Sequence, residues 1–341
     1  MYADSHAEVR HRFVCFGELL LRLTSPGNER LLQSMRLDVH VGGAEANVAV
    51  SLATFGHHAS VVSAVPDNRL GQACLMALRS HQVDTSMVRT RPGRMGLYFL
   101  EEGAVTRPSR VVYDRARSSF AESGADDFDW SSLLQGVGHL HMSGITPAVG
   151  PGPAAAALRA VAAAGELGVK ISFDGNYREG LWRAWRGDGP GILRQILAGA
   201  HVAFINERDT ELLLGVAEAS RERAMERAFE AFPSLEMVAT TRSVQRSVSA
   251  LTFSGELYLR NGQHQSSRTY ELEQVVDRIG RGDAFAAGVL HGIAEGYEPA
   301  RIIEFAAAAS AIKHSIPGDW NLTSIDEVEM IASGKDFDVR R

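Results

Sequence analysis

The segment Asp277-Arg278-Ile279-Gly280-Arg281-Gly282-Asp283 runs directly into Ala284-Phe285-Ala286-Ala287-Gly288-Val289-Leu290. Phe285, Val289 and Ile293 recur every four residues, the spacing of one helix face. The first N–H groups of a helix have no partners within it, and the aligned peptide dipoles favour negative charge there. Glycines ahead of such a start let the backbone approach a phosphate closely. Asp283 falls where that phosphate would land. A carboxylate is electrostatically unwelcome beside an anion unless it has a task, such as taking a proton from an attacking hydroxyl. The competing reading is a plain loop-to-helix turn with Asp283 as N-cap. Gly-x-Gly-Asp by itself leaves the two readings even.

A second constellation is Val41-Gly42-Gly43-Ala44-Glu45-Ala46-Asn47-Val48-Ala49. Two glycines precede a helix start, and Asn47 falls on its first turn. Glycine backbone can approach a sugar, and an Asn side chain offers donors and an acceptor to hydroxyls. Taken alone, a simple helix entry with a surface Asn is the better reading.

The elements that must carry these motifs alternate. Phe13 to Leu23 reads as a strand interrupted at Gly17-Glu18, and Leu37 to Val41 as another. Glu45 to Phe55 is a helix ended by Gly56, Ala59 to Val65 a buried strand, Leu70 to His81 a helix, and Val83 to Val88 short and extended. Such alternation predicts a parallel sheet covered on both faces. It breaks between Arg94 and Tyr113, where Gly96 to Leu100 and Ser109 to Tyr113 predict a hairpin. It resumes with strands at 137–143, 169–174 and 202–206 and helices at 153–167, 191–198 and from Arg208. Strands follow at 237–241 and 248–253, then helices at 283–296 and 299–314.

Composition narrows the functional classes. Of 341 residues, 45% are hydrophobic and 22% charged, as in an ordinary globular protein. A net charge of −6 argues against a general nucleic-acid binder. The two cysteines, Cys15 and Cys74, suggest neither a disulfide framework nor zinc. The first twelve residues are polar and charged, without the apolar core of a signal peptide. With no apolar run of about 18 residues, no membrane association and a cytoplasmic location are expected. Among the histidines, His57-His58 and His139/His141 are the only close groups, and neither has convincing metal-ligand spacing. His141, on a strand, reads as a satisfied buried residue.

Taken together, Gly42-Gly43-x-x-x-Asn47 and Asp277-x-x-Gly280-x-Gly282-Asp283 resemble the ribokinase-like (PfkB) family of carbohydrate kinases over nearly the whole chain. The family usually has Asp-Thr-x-Gly-Ala-Gly-Asp; here Arg278 replaces the threonine and Arg281 the alanine. The resemblance implies one α/β domain over residues 1–341, with a doubly wound, mostly parallel sheet flanked by helices. A small β-sheet lid over the sugar would use strands within about 13–41 and 94–115. The nucleotide site would fall mainly in 200–320, with ATP and Mg²⁺ as cofactors.

Within that family the chain is most similar to the 2-keto-3-deoxygluconate kinases. Leu140-His141-Met142-Ser143-Gly144-Ile145-Thr146-Pro147, Ser172-Phe173-Asp174-Gly175-Asn176-Tyr177-Arg178, Tyr113-Asp114-Arg115 and Lys313 to Asn321 carry the likeness. The acid sugar has a carboxylate, and Arg178 follows a strand end, where open α/β sheets place ligands. A guanidinium can hold a carboxylate bidentately. Such a charge-assisted bond contributes roughly 1.5–3 kcal/mol, about 10–200-fold in affinity. The alternative for Arg178 is a surface salt bridge.

The resemblance also implies substrate contacts from Gly42, Gly43, Asn47, Tyr98, Tyr113, Arg115 and Asp319. An aromatic lid core is nearly as good an account of Tyr98, and a Gly-Asp turn is an alternative for Asp319. Asn206-Glu207-Arg208-Asp209 occupies the place of the family's Asn-x-x-Glu motif, which organises magnesium through water. Asp209 and Glu207 are thus candidate metal residues, although acids also suit a helix N-terminus. Thr241, Arg242, Asn206 and Asn176 are candidate nucleotide contacts.

The resulting expectation is ATP-dependent phosphorylation of a sugar acid at its primary hydroxyl, giving the 6-phosphate. Asp283, ionised at its ordinary pKa near 3.9, acts as base. The amides of Gly280, Arg281 and Gly282 form the anion hole. Lid strand edges invite a homodimer. Alternatives are a kinase for a neutral sugar such as fructose or ribose, and a non-catalytic sugar or nucleotide sensor. No Gly-x-Gly-x-x-Gly follows the first strand, which disfavours a dinucleotide-binding dehydrogenase.

Overall fold

A computed structural model describes residues 11–334. Fourteen strands build two sheets: β1 (Arg12–Phe16), β2 (Leu20–Thr24), β3 (Asp38–Gly42), β4 (His58–Pro66), β5 (Val88–Arg91), β6 (Gly96–Glu101), β7 (Arg110–Asp114), β8 (His139–Ser143), β9 (Lys170–Asp174), β10 (Val202–Phe204), β11 (Met237–Gln245), β12 (Leu251–Leu259), β13 (His264–Ser266) and β14 (Tyr270–Leu272). The large sheet has the order β13-β12-β11-β10-β9-β8-β1-β4-β5, with β14 also paired to β12. From β11 to β5 every pairing is parallel. The β12 pairings are antiparallel. The small sheet has the order β3-β2-β6-β7 and lies where the lid is expected, whose name it takes.

Burial alternates along β1 with the period of a strand. Phe13 and Cys15 join the core formed with helices Ala44–Thr54, Arg281–Ala294 and Pro299–Lys313. Val14 and Phe16 join the opposite core, against helices Pro151–Leu167 and Gly189–Ala198. Both faces of the sheet are therefore covered, as the strand–helix alternation requires.

The interruption at Gly17-Glu18 is a change of sheet. Gly17 N–H makes a last bond to Val62 O at 3.2 Å, after which the chain leaves β1 for β2. A Cβ on Gly17 would collide with the Glu45 carboxylate, so no larger residue fits this crossing. The lid thus comprises 20–24, 38–42, 96–101 and 110–114, and Arg12–Phe16 belongs to the large sheet. The hairpin forms in the expected place, with Tyr98 directly opposite Tyr113.

Other boundaries differ from the sequence reading. The extended stretch expected at 83–88 is β5 at Val88–Arg91. The strand expected at 248–253 runs instead over Leu251–Leu259, pairing with a β11 that extends to Gln245. Helices Glu179–Trp185, Arg221–Ala231 and Ile325–Ala332 also form. The second, Arg-Glu-Arg-Ala-Met-Glu-Arg-Ala-Phe-Glu-Ala, buries only Ala224, Met225 and Ala228, too thin an apolar stripe to stand out among its charges. Among the described residues no helix is long and apolar enough to cross a membrane.

Candidate functional site

The site lies at the carboxyl ends of the parallel strands, under the lid. Helix Arg281–Ala294 points its N-terminus there, with Gly280 as N-cap in the left-handed region at φ +80°. A Cβ on Gly280 would also run into the Asp319 carbonyl, so conformation and space both demand glycine. Asp277 shapes this turn. Its Oδ1 accepts from Ile279 N–H at 2.9 Å and its Oδ2 from Gly318 N–H at 2.9 Å. Arg22 donates to the same Oδ2 at 2.6 Å and lies 3.3 Å from Asp319 Oδ1. Arg22 is 1% exposed, a charge fully enclosed between two carboxylates.

Helix Ala44–Thr54 brings the second motif. Its N-cap, Gly43, has φ +140°, and a Cβ there would strike the Glu18 carbonyl. A Cβ on Gly42 would collide with the Asp319 carboxylate. Asn47 donates from Nδ2 to Asp283 Oδ2 at 2.7 Å, joining residues 236 positions apart in sequence. The other end of that amide, Asn47 Oδ1, is buried without a protein donor.

A cavity of about 300 Å³ is lined by Gly43, Asn47, Tyr98, Tyr113, Arg115, Asn176, Arg178, Gly280, Arg281, Gly282, Asp283 and Asp319. A second, of about 360 Å³, is lined by Asn206, Asp209, Thr240 and Thr241. The two share Asp174, Asn176, Arg178, Arg281 and Gly282, so they meet at the helix N-terminus. A built Cβ on Gly282 meets nothing within 4 Å, which leaves open space at that junction.

Nearly all the expected substrate residues converge, some with partners the sequence did not indicate. Tyr98 is buried in the lid as expected of an aromatic core, lines the cavity, and its hydroxyl donates to Asp319 Oδ2 at 2.7 Å. Arg115 lines the cavity, but its Nε donates to the buried Glu18 at 2.6 Å, so its charge is already compensated. Arg178 is exposed and donates only to its own chain, at Tyr177 O, 3.0 Å away. Among the described residues it forms no salt bridge, unlike the surface pairing weighed above. His141 is buried with Nδ1 2.9 Å from Ser172 Oγ, a satisfied core histidine.

Among the residues expected to contact a nucleotide or metal, the outcome is mixed. Asn206 accepts from Arg208 and Asp209 N–H, and Asp209 Oδ2 accepts in return from Asn206 N–H at 2.9 Å, a reciprocal helix cap. Both nevertheless line the second cavity. Glu207 is taken by Arg221 at 2.9 Å, and Arg242 turns to Glu256 at 3.0 Å; neither lines either cavity.

Sequence reasoning overlooked Asp174, Arg22 and Asp277 as individual site residues. Asp174 ends β9 and accepts from Asn176 N–H at 3.2 Å. Its position at a strand end was a usable signal, as was Arg22 inside the leucine-rich Leu20-Leu21-Arg22-Leu23.

The cleft is rich in carboxylates held away from water. Burial, with Asp209 nearby, pushes Asp174 up to about 7. Burial pushes Asp319 up to about 6 despite Arg22. Asp283 is raised well above the usual carboxylate range, by burial and then by Asp174, Glu45 and Asp319, while the Asn47 hydrogen bond opposes the shift. Asp283 is therefore not the ordinary carboxylate expected from the sequence. A raised pKa makes a stronger base, nearer the optimum for proton transfer at neutral pH. The Asp174–Asp209 pair is a carboxylate donor set that suits a hard divalent cation.

A family model described as pfkB family carbohydrate kinase matches residues 10–322. The 2-dehydro-3-deoxygalactonokinase of Haloferax volcanii is 30% identical over 96% of this chain and 98% of its own length. The 2-dehydro-3-deoxygluconokinase of Thermoproteus tenax is 31% identical over 92% and 91%. The crystal structure of the 2-dehydro-3-deoxygluconokinase of Thermotoga maritima superimposes with a TM-score of 0.89 at 38% identity, covering 94% of this chain and 99% of that one.

Proposed function

The chain belongs to the pfkB family of carbohydrate kinases, and from that premise we propose that it phosphorylates a 2-keto-3-deoxy sugar acid with ATP, most simply 2-keto-3-deoxygluconate at its C6 hydroxyl. The observation that carries the reading is Asp283 in the first turn of helix Arg281–Ala294, held by Asn47 at 2.7 Å in the cavity under the lid and next to Gly282, where the two cavities meet. The sugar acid occupies the cavity under the lid, with its carboxylate toward the unpaired Arg178 and its hydroxyls toward Asn47 and Asp319. Asn47 Oδ1, buried and unpartnered, accepts from one of those hydroxyls. ATP occupies the neighbouring cavity beside Thr241, Asn176 and Asn206.

Asp283 takes the proton of the attacking hydroxyl, which turns toward the γ-phosphate. The free amides of Gly280, Arg281 and Gly282 at the helix start, with the Arg281 guanidinium, face the charge that moves in transfer. Phosphoryl transfer has a loose transition state, so positioning and charge neutralisation supply most of the acceleration. Asp174 and Asp209 would hold Mg²⁺, which when bound neutralises phosphate charge; Glu207, locked to Arg221, is the less suitable of the acids expected for this role.

The lid's outer face shows Val39 and Val112 exposed by 59 and 53%, while their neighbours Val111 and Tyr113 face the cavity. The two exposed valines, on a sheet with two uncovered edges, support a homodimer formed lid to lid.

A coupled ADP-release assay comparing 2-keto-3-deoxygluconate, its C4 epimer 2-keto-3-deoxygalactonate, gluconate, fructose and ribose tests the reading. Strong preference for the keto-deoxy acids supports it. Preference for a neutral sugar removes the carboxylate assignment, and no turnover with any sugar favours a sensor.

A further inference from the structure

Far from the cleft, three chain segments meet at the amino-terminal edge of the large sheet. His11 precedes β1 and His57 precedes β4, and the first rung between these strands, His58 N–H to His11 O at 3.0 Å, sets them side by side. Glu295 caps the C-terminus of helix Arg281–Ala294. His11 Nδ1 lies 3.1 Å from His57 Nδ1 and 3.5 Å from Glu295 Oε1. One ligand atom from each of the three falls within 4.8 Å of the others. In a tetrahedral Zn²⁺ site with bonds of about 2.0–2.1 Å, ligand atoms sit about 3.3 Å apart, close to the two edges formed by His11. Sequence spacing could not show this set, because its members are 46 and 238 residues apart, counted from His57.

We propose that His11, His57 and Glu295 form a site for a zinc-class transition-metal ion, which ties together the far ends of the two helices that build the catalytic pocket. Two imidazoles and one carboxylate suit Zn²⁺, Co²⁺ or Ni²⁺ rather than Mg²⁺ or Ca²⁺. The arrangement has the outer support a metal site needs: His57 Nε2 is 2.8 Å from His291 Nδ1, which orients the ring. His57 is buried while Glu295 is exposed, so an ion reaches the site from solvent with a position left for water.

The placement gives the ion a structural consequence. Helix Ala44–Thr54 ends just before His57 and carries Gly43 and Asn47 at its other end; helix Arg281–Ala294 ends just before Glu295 and carries Gly280 and Asp283. A cation here meets the negative ends of both helix dipoles. It fixes the same two helices whose opposite ends are joined by the Asn47–Asp283 bond.

The test is titration of the metal-stripped full chain with Co²⁺, followed by visible absorption, then competition with Zn²⁺, alongside thermal melting. The wild type should bind one equivalent with the intense bands of low-coordinate Co²⁺ and melt higher with Zn²⁺. His11→Gln and Glu295→Gln, both at the surface, should each weaken binding at least about tenfold and abolish the thermal shift. They should leave kinase turnover with Mg²⁺ unchanged. Absence of saturable binding near one equivalent, or undiminished affinity in both variants, overturns the site and leaves a hydrogen-bonded histidine cluster. Because the readout is metal binding, it stands or falls independently of the sugar assignment.

Discussion

At the scale of single residues, burial and neighbouring carboxylates raise Asp283, the base of the proposed reaction, above the ordinary carboxylate range. Asp283→Asn keeps the shape and an acceptor for Asn47 but removes the base. We expect kcat to fall by about 10²–10⁴-fold, with ATP and sugar affinity nearly unchanged by calorimetry; near-normal kcat would sink the assignment. The same variant should be more stable than wild type. The folded chain binds the Asp283 proton more tightly than the unfolded chain does, so ionising it in the fold costs stability. That cost is absent below the ordinary carboxylate range and complete above the raised pKa. The gain in Asp283→Asn should thus appear in melts at neutral to alkaline pH and vanish toward acid. The acid limb of kcat/KM should have its midpoint above the ordinary aspartate range, since activity needs the ionised base; a flat profile down to the ordinary range would contradict the shift. Arg178→Ala should raise KM for the acid sugar by about 10–200-fold and leave a neutral sugar's KM unaltered, measured side by side. An equal effect on both would dismiss a carboxylate contact.

At the scale of elements, the geometry around Asp283 depends on how the glycine turn before its helix is held. Gly280 has φ +80° and no room for a Cβ beside the Asp319 carbonyl. Gly280→Ala should cost at least about 1–2 kcal/mol from conformation alone, with kcat reduced because the turn must shift; denaturant melts and kinetics on one preparation check this. Arg22, reaching from the lid strand β2, neutralises Asp277 and Asp319 beneath the same turn. Arg22→Met leaves two buried carboxylates facing each other and should destabilise by about 3–5 kcal/mol. The pairing was not evident from local patterns because its partners are 255 and 297 positions away. Local signals left Asn206-Glu207-Arg208-Asp209 open, since a helix start and a metal site both predict acids there. Only the structure separated Asp209, in the second cavity, from Glu207, bound to Arg221.

At the scale of the whole molecule, the exposed Val39 and Val112 on the outer face of the small sheet support the proposed lid-to-lid pairing. Light scattering at micromolar concentration should give a dimer, and Val112→Asp should give a monomer; a monomeric wild type would remove this proposal. The chain's two-layered covering of a parallel sheet, its hairpin lid and its convergence on Gly43, Asn47 and Asp283 were legible from sequence, because hydrophobic period and glycine-rich helix starts are local properties. Resemblance then extended the reading to Arg178, Tyr98 and Asp319, which do meet in one cavity. What tertiary structure alone decided was charge state and partnership. Whether Asp283 is an ordinary acid, whether Arg115 is free or spent on Glu18, and whether His11, His57 and Glu295 gather at one edge all depend on distances between remote segments. Burial and Coulomb interactions are set by those distances, and no local run of residues contains them.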